Sequence, residues 1–353
     1  MQELCDIIIP VWNLKETTER CIESIITHTR YPYRLVMIDN GSDEPTKTYL
    51  EQLKNDTRIN QYHCIRNEKN LGAAPAYNQG MKASYAPYIL LLNNDTVVTE
   101  RWLSEMISVA ELANDIGIVN PDSNNLGTTI PKGASLDEFA QKHMSEYKGR
   151  SIEMAEAVGF CYLMKREVLD RIGVWSEEYG FGNYEETEHC ILARKEGIRI
   201  MLAQGAFVFH EEHATFNTLF KKRSSFEEIF ENDKKKFEEK YGKNKRVLYV
   251  VTTTDRKVLK KIDTATYTTA AGGTWVHVIV KDATRDYVFE RKHRWITFFT
   301  YSPHFFIVRC FLKIYFKKKR YDEIYVDSNA LYAVFKRYAL FLRAKIILFE
   351  QSE

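Results

Sequence analysis

Ile89-Leu90-Leu91-Leu92-Asn93-Asn94-Asp95 runs four apolar residues straight into a polar triplet ending in a carboxylate. An unbroken apolar run, rather than an alternating one, predicts a strand buried on both faces, as in a parallel sheet. The triplet then sits at the strand's carboxyl end, the edge where open α/β sheets bind ligands. A carboxylate there can hold a hard divalent cation, and such a cation can neutralise a diphosphate. The same three residues also suit a plain turn, and the neighbouring segments separate the two readings.

Upstream, residues 6–10, 34–39, 62–66 and 88–92 read as strands. Residues 17–29, 45–55 and 73–84 read as helices between them, with Ile22, Ile25 and Ile26 on one side of the first. This alternation predicts an α/β fold: a mostly parallel central sheet, helices on both faces and right-handed crossovers. Downstream, a helix is expected over 102–113 and a strand over 116–119. Residues 121–155 lose periodicity and gain Asn, Gly and Pro; they predict a long functional loop. Regular structure resumes at 157–164, with a helix at 185–195 and a strand at 199–208. Residues 221–244 read as a charged helical linker. A second, smaller α/β pattern follows, with strands at 247–251, 321–326 and 344–348 and a Gly272-Gly273-Thr274 turn. The expected division is therefore 1–220, 221–244 and 245–353.

The net charge of +2 hides an asymmetry. Residues 245–353 hold 21 Lys and Arg against 10 Asp and Glu, a net of +11, which leaves −9 for residues 1–244. An acidic part suits a metal, and a basic part suits phosphates or an anionic membrane face. None of the 6 cysteines forms a C-x-x-C pair, which points to reduced thiols in the cytoplasm rather than zinc or disulfides. Asp6 interrupts the first apolar run, so no signal peptide is predicted, and no apolar run is long enough for a spanning helix.

Four segments converge on one sheet edge. Pro10 to Asn13 closes the first strand, Asp39-Asn40-Gly41-Ser42 the second, Asn67 to Gly72 follows the third, and Asn93-Asn94-Asp95 the fourth. A carboxylate such as Asp39 can accept from a base N–H, and Gly41 and Gly72 allow close backbone approach. Asn, Asp and Gly are also ordinary turn formers, but four such loops on one edge favour a ligand site.

Residues 5–215 resemble a family 2 glycosyltransferase of the GT-A fold. The strings that carry the likeness are 8–13, 38–42, 70–80, 91–96, 159–168 and 180–188, in that order. The resemblance implies an inverting transfer of a sugar from a nucleotide diphosphate. It implies donor contacts from Pro10, Asn13, Asp39, Asn40, Asn70, Gly72, Asn78, Asn93 and Asn94, with Asp39 at the base. It also implies that Asp95 binds Mn²⁺ or Mg²⁺ as the last residue of a D-x-D-like motif. Asn93 stands where that motif has Asp; it offers an oxygen but no charge.

The family's base lies in an acidic pair at a helix start, which places it at Glu186, beside Glu185. A carboxylate there takes the proton of the acceptor hydroxyl as it attacks the anomeric carbon. The spacing from Asn183 to Glu186 also suits helix capping. A histidine after the last strand completes the family's metal site; His210 is the first choice and His213 the second. The expected acceptor contacts are Trp175, either a sugar platform or a packed aromatic, and Glu188, either an orienting carboxylate or a solvated one.

Residues 245–353 resemble, more faintly, the first half of a GT-B-type glycosyltransferase, a Rossmann-like pattern without its donor-binding half. Ser302-Pro303 suits a helix start. Arg309, Lys313 and Lys317 then fall on one basic stripe, either a solvated helix face or a peripheral contact with the inner face of a membrane. No nucleic-acid motif accompanies the charge. The leading reading is a metal-assisted glycosyltransferase of surface polysaccharide synthesis with a glycan or lipid-linked acceptor. A catalytically silent nucleotide-sugar or carbohydrate-binding module is the alternative, and a nucleotidyltransferase a third.

Overall fold

A computed structural model describes residues 4–179, 183–211, 223–284 and 287–349. The chain forms two units, residues 1–152 with 156–242 and residues 153–155 with 243–353.

In the first unit, strands β1 (Cys5–Val11), β2 (Tyr33–Asp39), β3 (Tyr62–Arg66) and β4 (Tyr88–Leu92) run parallel in the order β3-β2-β1-β4. Ile7, Ile8 and Ile9 of β1 and Leu90 to Leu92 of β4 are fully buried, as the unbroken apolar runs require. Burial of one such side chain contributes about 1.5–3 kcal/mol. Helices α1 (Lys15–His28), α2 (Glu44–Gln52) and α3 (Ala73–Ala83) make the crossovers. Asp43 caps α2, its carboxylate accepting from Thr46 N at 3.1 Å, with Pro45 in the first turn. Gly80 lets α3 lie directly on β1, because a Cβ there would collide with Ile8.

The second half makes the mostly parallel sheet a mixed one. β5 (Thr96–Val98) and β6 (Ile116–Asp122) precede β7 (Ser151–Met154), β8 (Cys161–Lys165) and β9 (Arg199–His210). The sheet continues β4-β8-β6-β9-β5, with β6 and β9 parallel to each other, β8 antiparallel to both neighbours and β5 antiparallel to β9. Reversing β8 brings its start, beside Phe160, to the carboxyl end of β4: Asn93 N donates to Phe160 O at 2.9 Å.

Helices α4 (Trp102–Ala110), α6 (Arg166–Ile172) and α7 (Glu185–Lys195) flank this half. The expected 121–155 loop is partly helical. Helix α5 (Leu136–Tyr147) opens with a capping box between Ser135 and Glu138. The 221–244 stretch is likewise no free linker: the helix Arg223–Tyr241 belongs to the first unit, and its Phe237 is buried and stacks on Tyr184 at 4.8 Å.

The second unit is a five-stranded parallel sheet in the order β12-β11-β10-β13-β14, formed by β10 (Arg246–Val251), β11 (Trp275–Lys281), β12 (Ile296–Tyr301), β13 (Glu323–Val326) and β14 (Lys345–Leu348). Among the described residues no helix is long and apolar enough to cross a membrane.

Candidate active site

Asp95 and His210 meet where β5 pairs with the end of β9. Asp95 follows β4, and His210 ends β9 opposite Thr96, the residue after Asp95. His210 Nε2 lies 3.1 Å from Asp95 Oδ1. The ring is held on every side. Phe160 stacks on it at 5.0 Å, 13° from parallel. Asn125 Nδ2 meets Nδ1. Asn124 clasps the backbone, accepting from His210 N at 2.9 Å and donating to His210 O at 2.9 Å. Asn124 and Asn125 sit in the stretch that reads as an aperiodic loop, with no pattern in the sequence to single them out.

Asp95 Oδ1 is buried without a hydrogen-bond partner of its own. A first-row divalent ion binds N and O at about 2.0–2.2 Å, so two of its ligands at a right angle lie roughly 3 Å apart. An orphaned carboxylate oxygen 3.1 Å from an imidazole nitrogen fits that requirement. Among the described residues no third His, Cys, Asp or Glu joins them; His213 lies outside those residues. Asn93 turns its amide nitrogen toward His210 Nε2 at 3.2 Å, while its oxygen accepts from the Tyr77 hydroxyl at 2.8 Å.

At the other end of the edge, Asp39 is buried. Its Oδ1 accepts from Ser42 N at 2.9 Å and its Oδ2 pairs with Arg66. Arg66 also donates to Ser42 O at 3.2 Å. It is the last residue of β3, a half-exposed guanidinium that the sequence reading passed over beside the more familiar Asn67 to Gly72 loop. Pro10 pairs with Ile38 in the β1–β2 ladder, just before these loops. Asn13, at φ 57°, joins the first two loops by accepting from Asp43 N at 2.7 Å.

Several expected donor contacts use their amides to build the site instead. Asn40 donates to Asn70 Oδ1 at 2.9 Å and to Gly72 O at 3.1 Å, and accepts from Asn67 and Leu71 N. Asn94 donates to Thr18 at 3.0 Å, anchoring the start of α1. Asn78 donates to Trp175 O at 2.9 Å and Glu177 at 2.8 Å, and accepts from Trp175 N at 3.0 Å. Gly41, at φ +78°, has no room for a Cβ, which would stand 2.7 Å from the Lys69 backbone.

The two residues expected at the acceptor side both pack against the protein. Trp175 is buried edge-on between Tyr77, at 5.1 Å, and Tyr162, at 5.5 Å, so it has no free face for a sugar to stack on. Glu188 faces the helix Arg223–Tyr241, accepting from Lys240 at 2.8 Å and Tyr241 at 2.7 Å. Burial opposes its charge, but these donors and Tyr179 outweigh burial and hold its carboxyl below the ordinary value.

The acidic pair divides its roles. Glu185 is buried and accepts from Asn183 N at 2.6 Å, so it supplies the helix-start contact that spacing assigned to Glu186. Burial raises the Glu185 pKa against the pull of those backbone donors. Glu186, half-buried, is raised well above an ordinary glutamate by desolvation first and the Glu185 charge second. A Cβ on Gly159 would sit 3.7 Å from the Glu186 carboxyl carbon and 3.4 Å from the Trp175 ring. Gly159 therefore abuts Glu186, while the next residue, Phe160, stacks on His210. Buried Asn120 fixes this bridge, accepting from Val158 N at 2.6 Å and donating to Val158 O at 3.0 Å.

Residues 6–173 match the family model described as Glycosyl transferase family 2. This stretch of the chain is similar to that family. A family 2 domain implies the GT-A fold, in keeping with the mixed sheet above. Among curated relatives, the uncharacterized glycosyltransferase EpsJ of Bacillus subtilis is 24% identical over 220 residues, covering 60% of this chain and 62% of its own. The Escherichia coli UDP-Glc:alpha-D-GlcNAc-diphosphoundecaprenol beta-1,3-glucosyltransferase WfaP is 32% identical over 106 residues, 30% of this chain and 39% of its own. The chain thus spans less than two thirds of these relatives. A solved mannosyltransferase from Pyrobaculum calidifontis, in complex with GDP-Man and Mn²⁺, aligns at 15% identity and a TM-score of 0.48 over 61% of this chain and 58% of its own.

Proposed function

We propose that the family 2 domain is an inverting glycosyltransferase that moves a sugar from a nucleotide diphosphate to a hydroxyl of a glycan or lipid-linked acceptor in surface polysaccharide synthesis. The observation that carries this reading is the Gly159-Phe160 bridge, which puts a carboxylate of raised proton affinity on one side and the Asp95–His210 pair on the other. An inverting transfer needs both within the span of one sugar: a base for the incoming hydroxyl and positive charge for the departing diphosphate.

In this reading Glu186 takes the acceptor proton, and Glu185 is the neighbouring charge that raises its basicity. The Asp39–Arg66 pair meets the nucleobase, on loops braced by Asn13, Asn40 and Asn70. Asp95 and His210 hold Mn²⁺ or Mg²⁺, which supplies charge neutralisation at the diphosphate when bound. Six free cysteines, five of them buried, support a reducing cytoplasmic setting. The second unit's strand order supports a likeness to the opening half of a GT-B-type domain, and no catalytic role is assigned to it.

The test is Glu186→Gln with a panel of nucleotide sugars. Nucleotide release falls by about 10²–10⁴-fold, the range for loss of a general base, while donor binding by calorimetry is retained. Release at the wild-type rate by the variant overturns the base assignment. Donor binding by the wild-type chain without release, acceptors present, overturns the transferase reading in favour of a silent binding module.

A further inference from the structure

The second unit's helix Phe306–Tyr315 is apolar on both sides. Phe306, Cys310 and Ile314, four residues apart, form the inward side and are buried in the core of that unit. Val308, Leu312 and Tyr315 form the outward side and are exposed, and Phe316, just past the helix, is 75% exposed. A surface helix normally turns charge, not Val, Leu and Tyr, toward water. The short helix Ala339–Leu342 extends the same surface: Phe341 stacks on Tyr315 at 5.2 Å, within 2° of parallel, and Leu340 is 95% exposed. Single exposed apolar residues are ordinary, whereas a contiguous set on two adjacent helices marks an interaction surface.

The two segments that carry this surface are basic. Residues 303–321 and 328–349 contain ten Lys and Arg and no Asp or Glu, with Asp322, Glu323 and Asp327 in the stretch between them. Two of the ten turn inward, which corrects the expected outward stripe. Lys313 Nζ sits 3.5 Å from the Phe299 ring centre, and Lys317 Nζ 2.8 Å from His277 Nδ1. Burial, with Arg246 and Lys313 nearby, lowers the Lys317 pKa to about 8. Lys318, Lys319 and Arg320 stay exposed at the end of the first helix, and Lys336, Arg337 and Arg343 beside the second.

We propose that this face docks on an anionic phospholipid bilayer, with Leu312, Phe316, Leu340 and Phe341 entering the boundary between headgroups and acyl chains and the surrounding lysines and arginines meeting lipid phosphates. Charge complementarity selects this occupant: the two segments join large apolar groups to an excess of basic charge, as an interfacial protein surface does. With no membrane-crossing helix among the described residues, the contact lies on the bilayer. It belongs to the second unit and does not depend on the transfer reaction of the first.

The full chain is sedimented with phosphatidylcholine vesicles with and without phosphatidylglycerol. Binding is expected only with the anionic lipid and falls steeply with salt. Lys318→Glu/Lys319→Glu/Arg320→Glu removes three basic residues from the surface and lowers partitioning by about a hundredfold or more. Phe316→Ser/Leu340→Ser/Phe341→Ser, all exposed positions, does the same with an unchanged circular dichroism spectrum. Absence of binding to anionic vesicles overturns the proposal. So does binding that the serine variant leaves intact, or a wild-type dimer that the serine variant dissociates, which would assign the face to a second copy.

Discussion

His210 Nε2 stands 3.1 Å from Asp95 Oδ1, two atoms brought together from the end of β9 and the turn after β4. The pair fits a divalent ion, so Asp95→Asn and His210→Ala should each lower nucleotide release by about 10²–10³-fold, the scale for losing one preorganised charge-stabilising group. Calorimetric titration with Mn²⁺ in the presence of nucleoside diphosphate should show weakened metal binding in both variants. Unchanged Mn²⁺ affinity in His210→Ala would remove it from the ligand set.

Asn125 meets the His210 ring at Nδ1, and Asn124 holds the backbone of the same residue. A residue that orients a ligand typically changes metal affinity or activity by about 10–100-fold when lost. Asn125→Ala should therefore weaken Mn²⁺ binding by that amount without altering thermal stability by more than about 1 kcal/mol. A loss of stability with unaltered Mn²⁺ affinity would make Asn125 a purely structural residue.

The raised pKa of Glu186 has a direct kinetic consequence. A base works only when ionised, so the rate should rise with pH through an acidic limb. Desolvation and the Glu185 charge shift that limb upward, so its midpoint should lie above the ordinary glutamate value of about 4.3. In Glu185→Gln the neighbouring charge is gone and the limb should move to lower pH. A pH profile of kcat identical in wild type and Glu185→Gln would contradict the coupling.

Asp6 is a fully buried carboxylate of the first unit. It accepts from Arg34 Nε and Nη2, each at 2.8 Å, from Ser84 at 2.6 Å and from Tyr85 N at 3.0 Å. Burial alone would raise its pKa, but these bonds, Arg34 first, hold it below the ordinary value. Its folded pKa being depressed, its stabilisation is present above about pH 3.9 and is lost as pH falls through the lower folded value. Asp6→Ala leaves the Arg34 charge buried without its partner, a cost of about 3–5 kcal/mol. Urea denaturation at neutral pH measures it; a loss under about 1 kcal/mol would show that Arg34 finds water instead.

The parallel half of the sheet was legible because a strand covered on both faces must be apolar throughout, and Ile7 to Ile9 and Leu90 to Leu92 are. The reversal of β8 was not: residues 161–165 show a strand, but strand direction is set by the partners on either side, which lie far away in the chain. Residues 121–155 read as loop although the Ser135–Glu138 capping box was present in the sequence. The helix it starts buries only Ala140 and His143, too few to show a period.

The site divides in the same way. The four loops, the acidic pair and His210 could be placed at one edge because each follows a recognisable strand or opens a recognisable helix. Their roles could not be apportioned. Asn13, Asn40, Asn78 and Asn94 have the same chemistry whether they bind a ligand or close a loop, and the difference lies in which distant backbone group comes within 3 Å. Glu188 differs from Glu186 only by the face of α7 it occupies, and packing of the helix Arg223–Tyr241 decided which face was covered. Local side-chain pattern fixes where strands and helices form, because burial acts on each segment separately. Partners, proton affinities and the Asp95–His210 approach depend on groups that only folding brings together, because hydrogen bonds and desolvation act over a few ångströms of space rather than along the sequence.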